Sequence, residues 1–352
     1  MKDAMRYPAA GLVQFAREIL MAAGLSQPVA EATAETLVEG DLLGHDTHGL
    51  ALLEPYVNEI ASGKMTRSGA ARVVSEKAAV LLWDGQRLPG PWLVRAGLDE
   101  LSPRAKQNGS ATLVIRRSHH IACLATYLVR AARDGLFMLL ASSDPAVHSV
   151  APHGGTRGVF TPNPIAAGIP TSQDPILVDI SASITTNGMS ARLHRENGRF
   201  EEAWLLDAQG VATNDPGVLY TDPPGTILPL GGLSAGHKGF GLALLIEALT
   251  GGLAGLGRAD PLEGWGATVF MMLFDPDAFG GRADFARQMD AIVTACHDNP
   301  ARPGFEGVRM PGERGLRLWR EQLRDGVRLR DGIASSLKNL GTRYALDLPA
   351  PS

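Results

Sequence analysis

Nine histidines punctuate the sequence, and six of them fall in three close pairs, His45/His48, His119/His120 and His148/His153. Imidazole titrates near neutrality, so a clustered histidine reads either as a proton donor or acceptor, or as a neutral metal ligand. The spacing favours proton chemistry. No His-Glu-x-x-His and no Cys-x-x-Cys occurs, and His45 and His48 sit at a joint between helices, so no metal site is expected. His48 stands between Thr47 and Gly49 at a helix start. There it is either a capping or core histidine or the proton donor to a carbonyl or imine being reduced, with Thr47 placed to position it.

A second kind of chemistry needs an anion cradle. No Gly-x-Gly-x-x-Gly follows a strand and opens a helix, so the Rossmann fingerprint is absent. The run from Gly231 to Gly239 instead sets Lys238 in a glycine-rich turn, ahead of a helix expected over 240–250. It matches a P-loop only loosely, because His237 precedes the lysine and no Ser or Thr follows it. A glycine-rich helix start with one lysine suits a phosphate group. The alternative for Lys238 is a solvated residue.

The stretch that must position the central histidines runs from Ala111 to Pro170. Thr112-Leu113-Val114-Ile115 reads as a strand, and Arg116 to His120 as a polar turn. Ile121, Leu124, Ala125, Leu128, Val129 and Ala132 then repeat at the spacing of one helical stripe. Gly135 suits a C-terminal cap, and Phe137 to Leu140 reads as a second buried strand. This βαβ-like unit would set His119 and His120 at a helix N-terminus, where anions are favoured. The following loop, rich in His, Gly and Pro, is either a site or a mobile surface segment.

Upstream, apolar stripes predict three helices: one with Leu12 to Leu20, one capped by Ser26 with Ala30 to Leu42, and one with Leu52 to Ile60. The His-rich joint Gly44 to Gly49 separates the last two. Short strands near 72–74 and 80–83 and a helix over about 91–101 complete the approach. From 168 to 212, β-type runs alternate with turns, including the strand Ile176 to Ile180 and a hairpin-type turn at Arg195 to Gly198. After a strand over 268–274, helices return. One carries Phe285, Met289, Ile292, Val293 and Cys296 on one face, and Pro311-Gly312-Glu313 opens another. The expected architecture is α/β (α+β): a central unit over 69–282, with helical ends over 1–68 and 283–352 packing together.

Composition bounds the function. A chain 45% apolar and 20% charged is an ordinary globular one. The net charge of −4, with no Lys/Arg cluster interleaved with aromatics, offers no nucleic-acid face. No run approaches the ~18 apolar residues of a membrane span, and Met1 to Pro8 lacks a signal-peptide core. Cys123 and Cys296 both fall on predicted helical stripes and read as reduced core residues, which fits a cytoplasmic protein.

Several short motifs occur in a telling order: Gly44-His45-Asp46-Thr47-His48-Gly49, Arg117-Ser118-His119-His120, Ser143-Asp144-Pro145 and Asn163-Pro164. Asp179-Ile180-Ser181, Pro229-Leu230-Gly231-Gly232, Lys238-Gly239 and Pro311-Gly312-Glu313 continue it. Over nearly the whole chain they resemble the malate/L-lactate dehydrogenase-like oxidoreductases, a family unrelated in fold to the Rossmann lactate dehydrogenases. The resemblance implies an NAD- or NADP-dependent enzyme with a non-Rossmann cofactor domain on a mixed, largely antiparallel sheet. It implies a homodimer, with the cofactor near the subunit boundary. Hydride would pass between the nicotinamide and a small 2-hydroxy/2-oxo acid or related carbonyl.

The same resemblance assigns residues. His48 matches the proton donor and acceptor, Thr47 takes the usual serine place beside it, and His120 matches an acid/base or a cofactor neighbour. Ser143, Asp179, Ile180, Ser181, Lys238, Gly312 and Glu313 match cofactor contacts, and Asn163 falls on the substrate side. The departures are on that side too. Leu52 stands where many members carry the arginine that binds the substrate carboxylate. Thr161-Pro162 replaces Gly-Thr, Met189 replaces an aspartate that supports the histidine, and His237 replaces a tyrosine. Arginine would grip a carboxylate with two fixed hydrogen bonds, and leucine cannot. Either the substrate has no carboxylate there, or another cation such as Arg157 or Arg192 reaches in. Two rival readings remain: a cofactor-binding protein that has lost turnover, favoured by Leu52 and Pro162, and a metal-dependent hydrolase built on the His pairs.

Overall fold

The computed structural model describes residues 5–351, so Met1 to Ala4 of the N-terminal stretch lie outside the described residues. Strand β1 (Arg6–Tyr7) leads into α1 (Ala9–Ala22), α2 (Gln27–Leu42) and α3 (Leu53–Ala61). Next come β2 (Arg72–Lys77), β3 (Val80–Asp84), α4 (Gly90–Asn108), β4 (Ser110–Ser118), α5 (Ala125–Arg133) and β5 (Phe137–Ser143). The middle continues with β6 (Pro164–Ile169), β7 (Ile176–Ser181), α6 (Asn187–Arg195) and three short strands, β8 (Leu205–Leu206), β9 (Ala212–Thr213) and β10 (Thr226–Ile227). The chain ends with α7 (Gly232–Glu247), β11 (Ala267–Phe274), α8 (Arg282–His297), α9 (Glu313–Asp325), β12 (Val327–Arg328) and α10 (Asp331–Tyr344). None of the described helices is long and apolar enough to cross a membrane.

The main sheet has seven strands in the order β2-β3-β4-β11-β5-β6-β7, and only its β3–β4 pairing is parallel. It is a mixed, largely antiparallel sheet, not a Rossmann one. β4 and β5 are not neighbours, as a simple βαβ unit would have them: β11, from far along the chain, inserts between them and runs antiparallel to both. Side chains alternate across this centre. Leu113, Ile115, Val269 and Met271 join α4 and α5 in one core. Val114 and Phe270 face a second, shared with Ile246 of α7. Burial on both faces explains why β11 reads as an unbroken apolar run. A third core ties α1, α2 and α3 to α10 and β12, while α8 buries no residue and its apolar stripe lies on the surface.

Three local expectations change. The helix predicted from Ile121 starts only at Ala125, because Ala122 adopts a left-handed backbone, φ 58°, that a helix cannot continue. Cys123 therefore lies in an irregular segment. Residues 195–198 do not turn a hairpin. They end α6, a helix capped by the Thr186 hydroxyl, which accepts the Met189 N–H at 3.2 Å. The helix expected from Phe240 begins at Gly232, after Gly231 at φ 96°, so Lys238 sits in its second turn and away from the free N–H groups of its first.

At the sheet centre Met271 is fully buried, and Gly97 of α4 lets that helix approach so closely that an added Cβ would lie 3.0 Å from its sulfur. Met271→Ala should therefore cost about 2–5 kcal/mol of stability. Urea unfolding should show a lower midpoint at unchanged slope. A loss well under about 1 kcal/mol would mean the site collapses freely around the missing side chain.

Candidate active site

The histidine joint after α2 is held from beneath. Asp41 is buried in the last turn of α2 and accepts the Leu50 N–H at 2.7 Å. A Cβ on Gly49 would fall 2.5 Å from that carboxyl group, and one on Gly40 3.1 Å from the His48 carbonyl. From α9, Gln322 Nε2 donates to the carbonyls of Asp41 and Leu42 at 2.9 and 3.1 Å, closing the end of α2. The backbone at Thr47 and His48 has little freedom left. Burial pushes the Asp41 carboxyl up to about 8, against the opposing Leu50 hydrogen bond.

His48 faces a cleft of about 490 Å³ between the helical layer and the sheet. Its Nδ1 lies 2.9 Å from Thr47 Oγ1. Part of the ring opens to the cleft, but the dense protein around it lowers its pKa to about 4. His120 stands opposite, with ring centroids 5.7 Å apart. The Ala122 N–H points to its Nδ1 at 3.3 Å, and Tyr56 Oη lies 3.0 Å from Nδ1 and 3.1 Å from the His120 carbonyl. Because a backbone N–H can only donate, Nδ1 is the acceptor, and the neutral ring carries its proton on Nε2. Burial, with His48 and His119 nearby, keeps this imidazole well below its usual range. Trp265 leans over His120 with centroids 4.6 Å apart.

The paired histidines thus separate. His45, His48 and His120 line the cleft, whereas His119 is buried against Glu59 at 3.2 Å and pushed down to about 4 by desolvation. His148 and His153 are exposed, the latter beside His237 with centroids 5.8 Å apart. His45, Cys123 and Asp179 each bring a ligand atom within 4.8 Å of the others, a grouping that sequence spacing did not reveal. The Cys123 thiol is pushed well up by burial and by Asp179, so it stays protonated, and Asp179 already accepts the Ala125 N–H at 3.1 Å. That carboxylate occupies the helix-start donor which the sequence suggested for an anion.

Leu52, Asp179, Ile180 and Ser181 also line the cleft. Ser143 and Asn163 do not. Both side chains turn into a buried network: Ser143 Oγ and Asn163 Nδ2 each donate to Glu247 Oε1 at 2.8 Å, and Arg258 Nε donates there at 2.9 Å. They reach the cleft through their neighbours Ser142, Asp144, Pro162 and Pro164. Gly312 and Glu313 lie along the outer edge of β7, where Pro311 O accepts the Leu177 N–H at 3.0 Å. Lys238 is exposed on α7, next to Gly239, whose Cα is pressed against Ala182 and Leu230. Arg157 is exposed, and Arg192 pairs with Asp46 at 3.2 Å. Tyr56 is expected only as a helix-stripe residue, Asp144 only as part of the Ser143-Asp144-Pro145 motif, and Trp265 not at all, yet all three stand at the site. Trp265, a lone aromatic between Gly264 and Gly266, was the one signal available.

Two facing, differently held imidazoles line one cleft beside an open sheet edge in a non-Rossmann frame. The fold is that of malate dehydrogenase from Entamoeba histolytica, with a TM-score of 0.91 over 99% of this chain and 100% of that one, at 22% identity. The chain belongs to the malate/L-lactate dehydrogenase family, whose model matches residues 7–338. It is 29% identical to an L-lactate dehydrogenase of Cupriavidus necator over 96% of this chain and 97% of the relative. It is also 30% identical to a (2R)-3-sulfolactate dehydrogenase (NADP(+)) of Chromohalobacter salexigens, over 91% and 93%.

The raised Asp41 carboxyl gives a signed prediction. The folded chain holds this proton up to about pH 8, while the unfolded chain releases it near 3.8. Its stabilising contribution is full below the lower value and is lost as pH rises through the upper one. Asn imitates the protonated acid. Asp41→Asn should therefore lose less Tm than the wild type between pH 5 and pH 8 in thermal melts, and equal losses would show that Asp41 is already ionised at pH 5.

Proposed function

We propose that the chain is an NAD- or NADP-dependent oxidoreductase moving hydride between a nicotinamide and a 2-hydroxy/2-oxo acid or related carbonyl. The observation that carries this reading is the Thr47–His48 pair facing His120 across a cleft that runs onto the free edge of β7. In an antiparallel ladder, alternate residues turn both backbone groups to the same side. Leu177 gives its N–H outward to Pro311 O, so Asp179 and Ser181 also face outward, and Pro164, opposite Ser181, has no N–H to offer inward. That uncommitted edge, Gly312 and Glu313 further along it, and Lys238 beyond Ala182 fit an elongated, phosphate-bearing dinucleotide. The Chromohalobacter salexigens relative, named for NADP(+), supports NADP here, and NAD fits the same groups.

A bound nicotinamide supplies or takes the hydride. The protein's part is the proton. With Nδ1–H given to Thr47 Oγ1, His48 Nε2 keeps its lone pair toward the cleft and takes the alcohol proton during oxidation. In reduction the same nitrogen returns a proton to the carbonyl oxygen as negative charge develops there. His120, its proton on Nε2, can donate a hydrogen bond to that oxygen. Trp265 and Ile121 keep water from the reacting atoms.

His48→Ala should lower turnover ~10²–10⁴-fold while cofactor affinity stays near wild type. Because His48 must be neutral to accept a proton and its pKa lies at about 4, kcat/KM for alcohol oxidation should stay flat from neutral pH downward and fall only as pH approaches that value. An acid limb centred near 6.5 would assign the base to a different group.

A homodimer completes the proposal. Leu233, Leu245 and Leu253 are each more than half exposed on and just after α7, and nothing stands over Gly241. An apolar side of this kind is more often covered than left wet, and a second copy is the partner that the family resemblance implies. Light scattering on a sizing column should return a mass near twice 37.2 kDa for the wild type and one near it for Leu233→Asp/Leu245→Asp. A monomeric wild type would refute the dimer.

A further inference from the structure

The cleft wall around the two imidazoles contains no lysine or arginine among the described residues. Leu52, Ile121, Pro162, Met189 and Trp265 form its apolar part, and its only acidic side chains among the described residues, Asp144 and Asp179, are both pushed by burial toward the neutral form and supply no cation. The surrounding guanidinium groups all have other partners, although Arg192 Nε is buried without one. Arg192 reaches Asp46 at 3.2 Å and lies against Met189 Sδ at 2.8 Å, and Arg330 pairs with the same aspartate. Arg258 serves Glu247 at 2.9 Å and the Val147 carbonyl at 2.9 Å. Beyond Asp144, in a neighbouring pocket, Arg117 Nε is held by Asp84 at 2.9 Å and Arg87 Nε donates to the Lys64 carbonyl at 2.7 Å.

A carboxylate set against Leu52 would lose its water beside an apolar wall that holds no lysine or arginine, a costly arrangement. An uncharged group at that place gives up little hydration and gains contact with Leu52, Met189 and Trp265. We propose that the substrate group facing Leu52 is uncharged. The favoured substrates are then 2-oxo esters, 2-oxo amides or ketones with an apolar substituent, together with their alcohols, rather than small free acids or diacids. This deepens and rests on the hydride-transfer reading. In reduction the carbonyl carbon gains the hydride and its oxygen gains a proton, so C=O becomes CH–OH while the reduced nicotinamide is oxidised by two electrons.

The test compares kcat/KM for oxaloacetate, pyruvate, methyl pyruvate and ethyl benzoylformate with reduced cofactor, in the wild type and in Leu52→Arg. The two esters should exceed pyruvate by about tenfold or more, with oxaloacetate poorest, and Leu52→Arg should reverse that order. Inhibition of the wild type by ethyl oxamate against oxamate needs no variant, and the neutral compound should bind more tightly. Pyruvate or oxaloacetate matching the esters, or oxamate proving the better inhibitor, would overturn the uncharged-substrate inference while leaving hydride transfer standing. No hydride transfer to any of the four would overturn the proposed function and this inference with it.

Discussion

One buried hydrogen bond carries much of the site. Asp41 and the Leu50 N–H, 2.7 Å apart, close the loop between α2 and the helix after it, and Thr47 and His48 hang from that loop. Every constraint around it is steric or internal. Gly40 and Gly49 leave no space for a Cβ, and Gln322 from α9 holds the carbonyls at the end of α2. A distant C-terminal helix thus fixes a residue near position 48. The price is a carboxyl group placed where burial drives it toward its neutral form. Such a group is tolerated because its partner is a backbone donor that would otherwise be orphaned.

The opposite wall is fixed by other means. His120 comes from the irregular segment between β4 and α5, and that segment is pinned at several points. Ala122 N–H meets the His120 ring, Tyr56 reaches across from α3, and Tyr127 Oη donates to the Ile121 carbonyl at 2.6 Å. Asp179 from β7 then caps the start of α5. The same aspartate therefore ties the sheet edge to the histidine segment and lines the cleft. Movement of β7 would be felt at His120 through two hydrogen bonds, a coupling that would keep the ring aligned if it takes part in proton transfer.

Much of this was legible in order and little of it in depth. The helical ends, strands β2 to β5 and β7 and the His-rich joint follow from apolar spacing and glycine punctuation, whereas β6 lies in what reads as loop. The sheet order does not, because β11 joins β4 and β5 from more than a hundred residues away and no local pattern records that partner. α6 was hidden by Ile184-Thr185-Thr186, a β-branched run whose last hydroxyl caps the helix. The motif glycines and histidines gave the right neighbourhood but not the direction of side chains. His119 and His120 look equivalent in sequence, yet one is buried on Glu59 and the other faces the cleft. Adjacent residues on an extended segment point to opposite sides.

Leu52 lines the cleft without taking part in the frame that holds His48. It lies in the single 3-10 turn between the Asp41 clamp and α3, packing partly against the helical core and partly lining the cleft. An arginine there must bring its own solvation or a bound anion. A leucine instead adds contact with the core and brings no charge to the wall. The clamp beneath His48 uses Asp41, Gln322 and backbone groups, and none of its hydrogen bonds involves the Leu52 side chain. Under the proposed function, proton chemistry and substrate charge would fall to neighbouring residues that share a loop but not an interaction, so the second could diverge without disturbing the first.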